Sequence, residues 1–228
     1  MSQSSRPDAP LRLRAQDAAE QAAAAELPAR GPERARRQVL RTLQQQLDRL
    51  PPGPRHACAA GCALCCHLRV AATPAEVFGL LDHLRSGTSA PEFQAFAGRC
   101  REVAGRVQAL DPARRLATNI ACPVLVGGRC GGYAARPLNC RAYHSLDLAA
   151  CEASFARPDD PALGHPQDAA VARVNEGVQL GFIHAQRRHG LDAAQYELAT
   201  ALAEAIDDAD ARARFLRGEP AFRVALRL

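Results

Sequence analysis

Apolar residues recur at helical spacing along most of this chain. Residues 11–29 are alanine-rich and helix-prone with a weak apolar face; beyond Pro32, which suits a first helical turn, Val39, Leu40, Leu43, Leu47 and Leu50 recur until Pro51, Pro52 and Pro54 stop the helix. The two segments predict an N-terminal helical arm that packs on the core or on a protein partner. Thr73, Pro74 and Glu76 form a capping-box start, after which Val77, Leu80, Leu81 and Leu84 give a buried stripe ending near Gly87. A further helix is expected over 91–109, with Phe93, Phe96, Cys100, Val103 and Val107 on one face, which makes Cys100 a small buried hydrophobe. Helices follow over 166–188, through Val171, Val174, Val178 and Phe182, and over 191–206, through Leu198, Leu202 and Ile206. Residues 207–218 predict a short exposed helix, the closing AFRVALRL an edge strand or extended tail, and the polar, proline-punctuated residues 1–10 disorder.

The helical pattern breaks twice, and both breaks are rich in cysteine. The first, CAAGCALCCHLRV, holds Cys58, Cys62, Cys65 and Cys66 in a CxxxCxxCC pattern. The second holds Cys122, Cys130, Cys140 and Cys151; its PVLVGGRCGGY stretch predicts a short hairpin turning at Gly127 and Gly128, and its LDLAAC end the start of a short helix. The expected class is therefore mainly α: a small helical domain with an irregular, turn-rich cysteine region and at most a short β-hairpin. Three stretches are expected: a tail and helical arm over 1–56, a cysteine-cluster metal-binding region over 57–152, and helices packing on it over 153–228.

Thiolates are soft ligands that select zinc, copper(I) or iron and iron–sulfur clusters, and spacings of a few residues let one loop wrap an ion. The eight grouped cysteines are thus the candidate metal ligands, in one or two centres. Adjacent side chains leave the backbone in different directions, so Cys65 and Cys66 suit two metals, or one metal and one core contact, better than a shared ion. A disulfide framework would call for an oxidising compartment and usually a small secreted domain. The N-terminus has no apolar leader, no run approaches the ~18 apolar residues of a membrane span, and nine is an odd number of cysteines. A cytoplasmic location and no membrane association are expected.

Charge adds little to this. All 29 basic residues are arginine, and the formal charge is +5. Eight thiolates holding two zinc ions would lower it by four, and the arginines are spread along a chain with few aromatics to stack on bases, so nucleic acid is not an expected partner. Arg129, Arg136 and Arg141 are candidate counter-charges to the thiolates, Tyr133 a candidate donor to a sulfur, and His67 and His144 lesser candidates for the metal shell. The chain has no Walker loop, no GxGxxG after a strand, no HExxH and no GxSxG.

CAAGCALCCHLRV and CPVLVGGRCGGYAARPLNCRAYHS together resemble the YkgJ or CxxCxxCC family of cysteine-cluster proteins, over roughly residues 58–151. The resemblance implies a zinc- or iron-chelating domain with ligands at Cys58, Cys62, Cys65, Cys66, Cys122, Cys130 and Cys140, and more weakly at Cys151. The chain departs from the pattern in the extra residue between Cys58 and Cys62, and in Gly131-Gly132 ahead of Tyr133. Flagellin lysine methylases look like distant relatives with a similar cluster. The leading expectation is a protein holding zinc or an iron–sulfur cluster, such as [4Fe–4S], in a structural, storage or electron-transfer role. The alternatives are a metal-dependent modifying or redox enzyme and a zinc-knuckle interaction module.

Overall fold

The computed structural model describes residues 9–228 and is mainly helical. The expectation of disorder over residues 1–10 falls almost wholly outside the described residues. The first helix, α1 (Ala9–Asp48), is two helical segments joined at a kink where Gly31 takes φ 76° and Pro32 restarts the helix. Its inner face is lined by Ala15, Ala19 and Ala23, all fully buried, so the weak stripe of the sequence is a stripe of small residues rather than a missing one.

After the cysteine loop and a 3₁₀ turn over Leu64–His67, β1 (Ala71–Ala72) leads into α2 (Pro74–Gly87), α3 (Ala90–Ala109) and a short α4 (Pro112–Leu116). The capping box is present at α2: the Glu76 carboxylate accepts from both the N–H and the hydroxyl of Thr73, each at 2.9 Å. The hairpin of β2 (Leu125–Val126) and β3 (Arg129–Cys130) turns at Gly127 and Gly128, whose φ of 54° and 74° a side chain would strain. Two short helices follow, α5 (Leu138–Ala142) and α6 (Leu148–Ala156), the latter capped by Asp147. Last come α7 (Ala169–Arg188), β4 (Tyr196–Glu197), α8 (Leu198–Asp207) and α9 (Ala211–Leu216).

The arm's small-residue face is occupied within the chain by α7. A methyl at Gly177 would collide with the Arg12 carbonyl and one at Gly181 with the Gln16 carbonyl, so the glycines let the two backbones approach closely. One main cluster of buried side chains runs from Ala15 to Phe222, joining both ends of the chain to α2 and α8.

The structure corrects three expectations. The helix expected over 191–206 begins only at Leu198. The Asp192 carboxylate holds the preceding stretch out of helix by accepting from Ala194 N–H, Tyr196 hydroxyl and Ala221 N–H; Tyr196–Glu197 pairs antiparallel with β1, and Glu197 caps α8 by accepting from Ala199 and Thr200 N–H. This β1–β4 ladder is a second two-stranded pairing beyond the one hairpin expected. The helix near 211–216 is not simply exposed: Ala211 and Phe215 are buried, and buried Arg214 bonds Asp208 at 2.6 Å and the Ala221 carbonyl at 2.8 Å. The tail is extended, pinned where Glu204 accepts from the N–H groups of Arg223, Val224 and Ala225, and Arg227 bridges to Tyr196.

Candidate metal centre

Four pieces of chain meet at the cysteines. The first loop is tied at its start by Ala57 N–H to the Ser145 carbonyl (2.7 Å), then tightened by Cys62 N–H to Ala59 and Cys66 N–H to Ala63, at 3.1 and 3.0 Å. The incoming second segment runs alongside it. Ile120 N–H donates to the His67 carbonyl at 3.1 Å and Cys122 N–H to the Cys66 carbonyl at 2.8 Å, so two cysteines 56 positions apart sit on one short ladder. The hairpin then returns Cys130 beside Cys122, its exit fixed by Gly131 N–H to the Val124 carbonyl at 2.9 Å. Gly132 lies against Leu80 of α2, whose side chain would have to shift to admit a Cβ there.

Cys140 rides on α5, and α5 is anchored by a residue that sequence reasoning singled out only as a cap. Beyond Thr73, the Glu76 carboxylate accepts the N–H of Leu138 at 2.8 Å in a fully buried position, tying the first turn of α2 to the first turn of α5. Burial pushes its pKa above the ordinary carboxylate value despite the N–H donors around it. Cys151 sits on α6, which packs on the 3₁₀ turn through the edge-on contact of Phe155 with His67, 5.1 Å between ring centres.

The result is a cavity of about 540 Å³ lined by Cys58, Cys62, Cys65, Cys66, Cys122, Cys130 and Cys140. Cys151 lies outside it, on an adjoining small pocket of about 60 Å³ shared with Cys58, Cys62 and Cys65. Cys58 and Cys62 are exposed and the other six partly buried; Cys100 is fully buried in the core beneath, as its place on the helix face predicts. The thiols line walls rather than converge: among the described residues, no three Cys, His, Asp or Glu side chains already stand close enough together to hold an ion.

The electrostatics show which thiols share a field. The Cys65 thiol is pushed up by its hydrogen bond to Cys66 and by burial, whereas that same bond lowers Cys66 against the opposing effects of burial and of Cys122, Cys130 and Cys140. Burial pushes Cys122 up to about 12, and also raises Cys130 and Cys140. Of the candidate counter-charges, Arg129 and Arg136 line the cavity. Arg136 stacks on Tyr133 with its guanidinium 4.0 Å from the ring centre, its Nε is buried with no hydrogen-bond partner among the described residues, and its charge favours the thiolates of Cys65, Cys130 and Cys140. Arg141 does not line the cavity and donates to the carbonyls of Ala134 and Arg136, yet its charge also favours the Cys130 thiolate.

Neither histidine named from the sequence is free at both nitrogens. His67 Nδ1 lies 3.0 Å from the Ala63 carbonyl. His144 is buried with Nδ1 2.8 Å from the Ala142 carbonyl, while Nε2 accepts the Asp168 N–H at 3.0 Å; it braces the loop and has no lone pair left for a metal. The sequence reasoning missed His56, which stacks on His144 at 4.7 Å, and His165, which lines the small pocket and whose pKa burial lowers, together with the field of His144. Nothing in the spacing of these two residues marks them.

The donor set suits a soft metal. The polar side chains that line the cavity are thiols, tyrosines and arginines with no competing carboxylate. No described helix is long and apolar enough to cross a membrane. No family model matches the chain, and no curated protein or solved structure matches it either.

Proposed function

We propose that this protein holds zinc or an iron–sulfur cluster through its grouped cysteines, in a structural, storage or electron-transfer role. One observation carries the reading: seven cysteines from separate stretches of chain line a single cavity, while the ninth, Cys100, is set apart in the core. A group of unpaired, exposed or partly buried thiols has no packing advantage over alanine or valine at these places, whereas a soft cation would satisfy several at once. The resemblance to the YkgJ family points the same way.

Metal content and the visible spectrum of protein purified without air test this. Stoichiometric zinc in colourless protein, or iron with sulfide and absorption of the brown iron–sulfur type, is the expected result. Folded protein that takes up neither zinc nor iron and sulfide would overturn it.

A second reading, a metal-dependent modifying or redox enzyme, draws on the size of the cavity, which leaves room for a small substrate beside an ion. Binding of cyanide to the metal-loaded protein distinguishes the two, because a centre closed by four thiolates has no position to offer.

A further inference from the structure

We propose that the thiols divide into two unequal centres: an inner one from Cys66, Cys122, Cys130 and Cys140, and an outer one from Cys58, Cys62, Cys65 and Cys151 that exchanges its metal with solution. The inference rests on the metal-binding reading above and assigns ligands within it.

The division follows from which walls each cysteine lines. Of these two spaces, Cys66, Cys122, Cys130 and Cys140 line only the larger, Cys151 lines only the smaller, and Cys58, Cys62 and Cys65 line both, so the smaller pocket is walled by four cysteines of its own. Cys65 lines both spaces and its neighbour Cys66 only the larger one, so the double cysteine is where the two sets meet. A tetrahedral thiolate site takes four ligands, and eight thiols divide into two such sets without remainder.

The two sets are held differently. Every inner cysteine stands on a fixed piece of backbone: Cys122 on its ladder with Cys66, Cys130 on the hairpin, Cys140 on the helix pinned by Glu76. Cys122, Cys130 and Cys140 also pack against the main hydrophobic core. The outer set includes the two exposed cysteines, on a loop held by few backbone bonds, together with Cys151 on a short helix none of whose residues is fully buried. Exchange of a thiolate-bound ion requires a competing ligand to reach it, and the two exposed thiols, Cys58 and Cys62, both belong to the outer set. His144, which lines this pocket, is committed to Ala142 and Asp168 and so does not compete with Cys151 for a ligand position.

The test is zinc titration of the reduced, metal-free full chain without air, followed by release of zinc to a coloured chelator. Two equivalents are expected, released in a fast and a slow phase. Cys151→Ser should lose one equivalent and the fast phase while keeping the slow one. Cys140→Ser should lose the slow one; should that variant fail to fold, Cys58→Ser, on the exposed loop, must repeat the Cys151→Ser result. Uptake of a single equivalent by the wild type, or two phases retained in Cys151→Ser, would overturn the two-centre division and leave metal binding standing. A folded wild type that takes up no metal in any form would instead overturn the reading on which the division rests.

Discussion

Glu76 is the residue through which the helical scaffold and the cysteine region are joined, and removing its carboxylate should loosen both. In Glu76→Ala, α2 loses its capping box, a loss worth about 0.5–2 kcal/mol. The Leu138 N–H, now buried without an acceptor, costs about 1–3 kcal/mol more, partly offset because a buried carboxylate no longer has to be desolvated. The net is about 2–4 kcal/mol, and at about 2–4 °C per kcal/mol for a chain of this size the melting temperature should fall by about 4–16 °C. Thermal unfolding followed by circular dichroism measures this. The pH dependence supplies a second readout. Burial raises the folded pKa of Glu76 above its unfolded value, so its contribution is fully present below about 4.5 and is lost as pH rises through the raised value. Glu76→Gln, which cannot titrate, should lose that fall in stability with rising pH. A melting temperature for Glu76→Ala within about 1 °C of wild type would refute the claim that this carboxylate pins α5, and with it Cys140.

Three further outcomes are expected. Cys100→Ser should cost about 1–3 kcal/mol, because its hydroxyl is buried among apolar side chains, yet leave metal content unchanged; a loss of metal would make Cys100 a ligand. Gly181→Ala should cost about 1–3 kcal/mol by forcing α1 off α7, whereas Gly105→Ala, facing open space on α3, should stabilise by about 0.4–1 kcal/mol; equal effects in urea unfolding would contradict the close approach of the two helices. Metal loading near neutral pH should release protons from Cys65, Cys122, Cys130 and Cys140, whose thiols are held protonated above their ordinary range, so affinity should weaken as pH is lowered. An indicator dye in weak buffer reads the release, and uptake without acid would count against thiol ligation.

The helices were legible wherever a strong local signal marked them. Thr73-Pro74 with Glu76, and Gly127-Gly128, each fix a boundary through chemistry confined to a few residues, and the structure places α2 and the hairpin there. What sequence reading lost was set by distant partners. Asp192 holds residues 192–196 out of helix with the help of Ala221, far along the chain, which donates to it, and the two-residue strands at 71–72 and 196–197 pair with each other. The packing role of Ala15, Ala19 and Ala23 was hidden because alanine carries little hydrophobic weight until glycines at 177 and 181 on another helix bring the backbones together. At the cysteines, spacing marked every thiol of the cavity and placed Cys100 on a buried helix face, but separation along the chain said nothing of which walls they share. Cys151 falls outside the main cavity, and Glu76 serves Leu138 as well as its own helix, because both depend on where α5 and α6 dock.

The most direct measurement is the metal content of full-length protein purified without air, set beside that of a Cys66→Ser/Cys122→Ser variant. The two altered residues share one short backbone ladder and face the same cavity. Bound zinc, or iron with sulfide, is expected in the wild type, and a clear loss in the variant with the helical signal retained. A folded wild type without either metal, or a variant that binds as much as wild type, would contradict it.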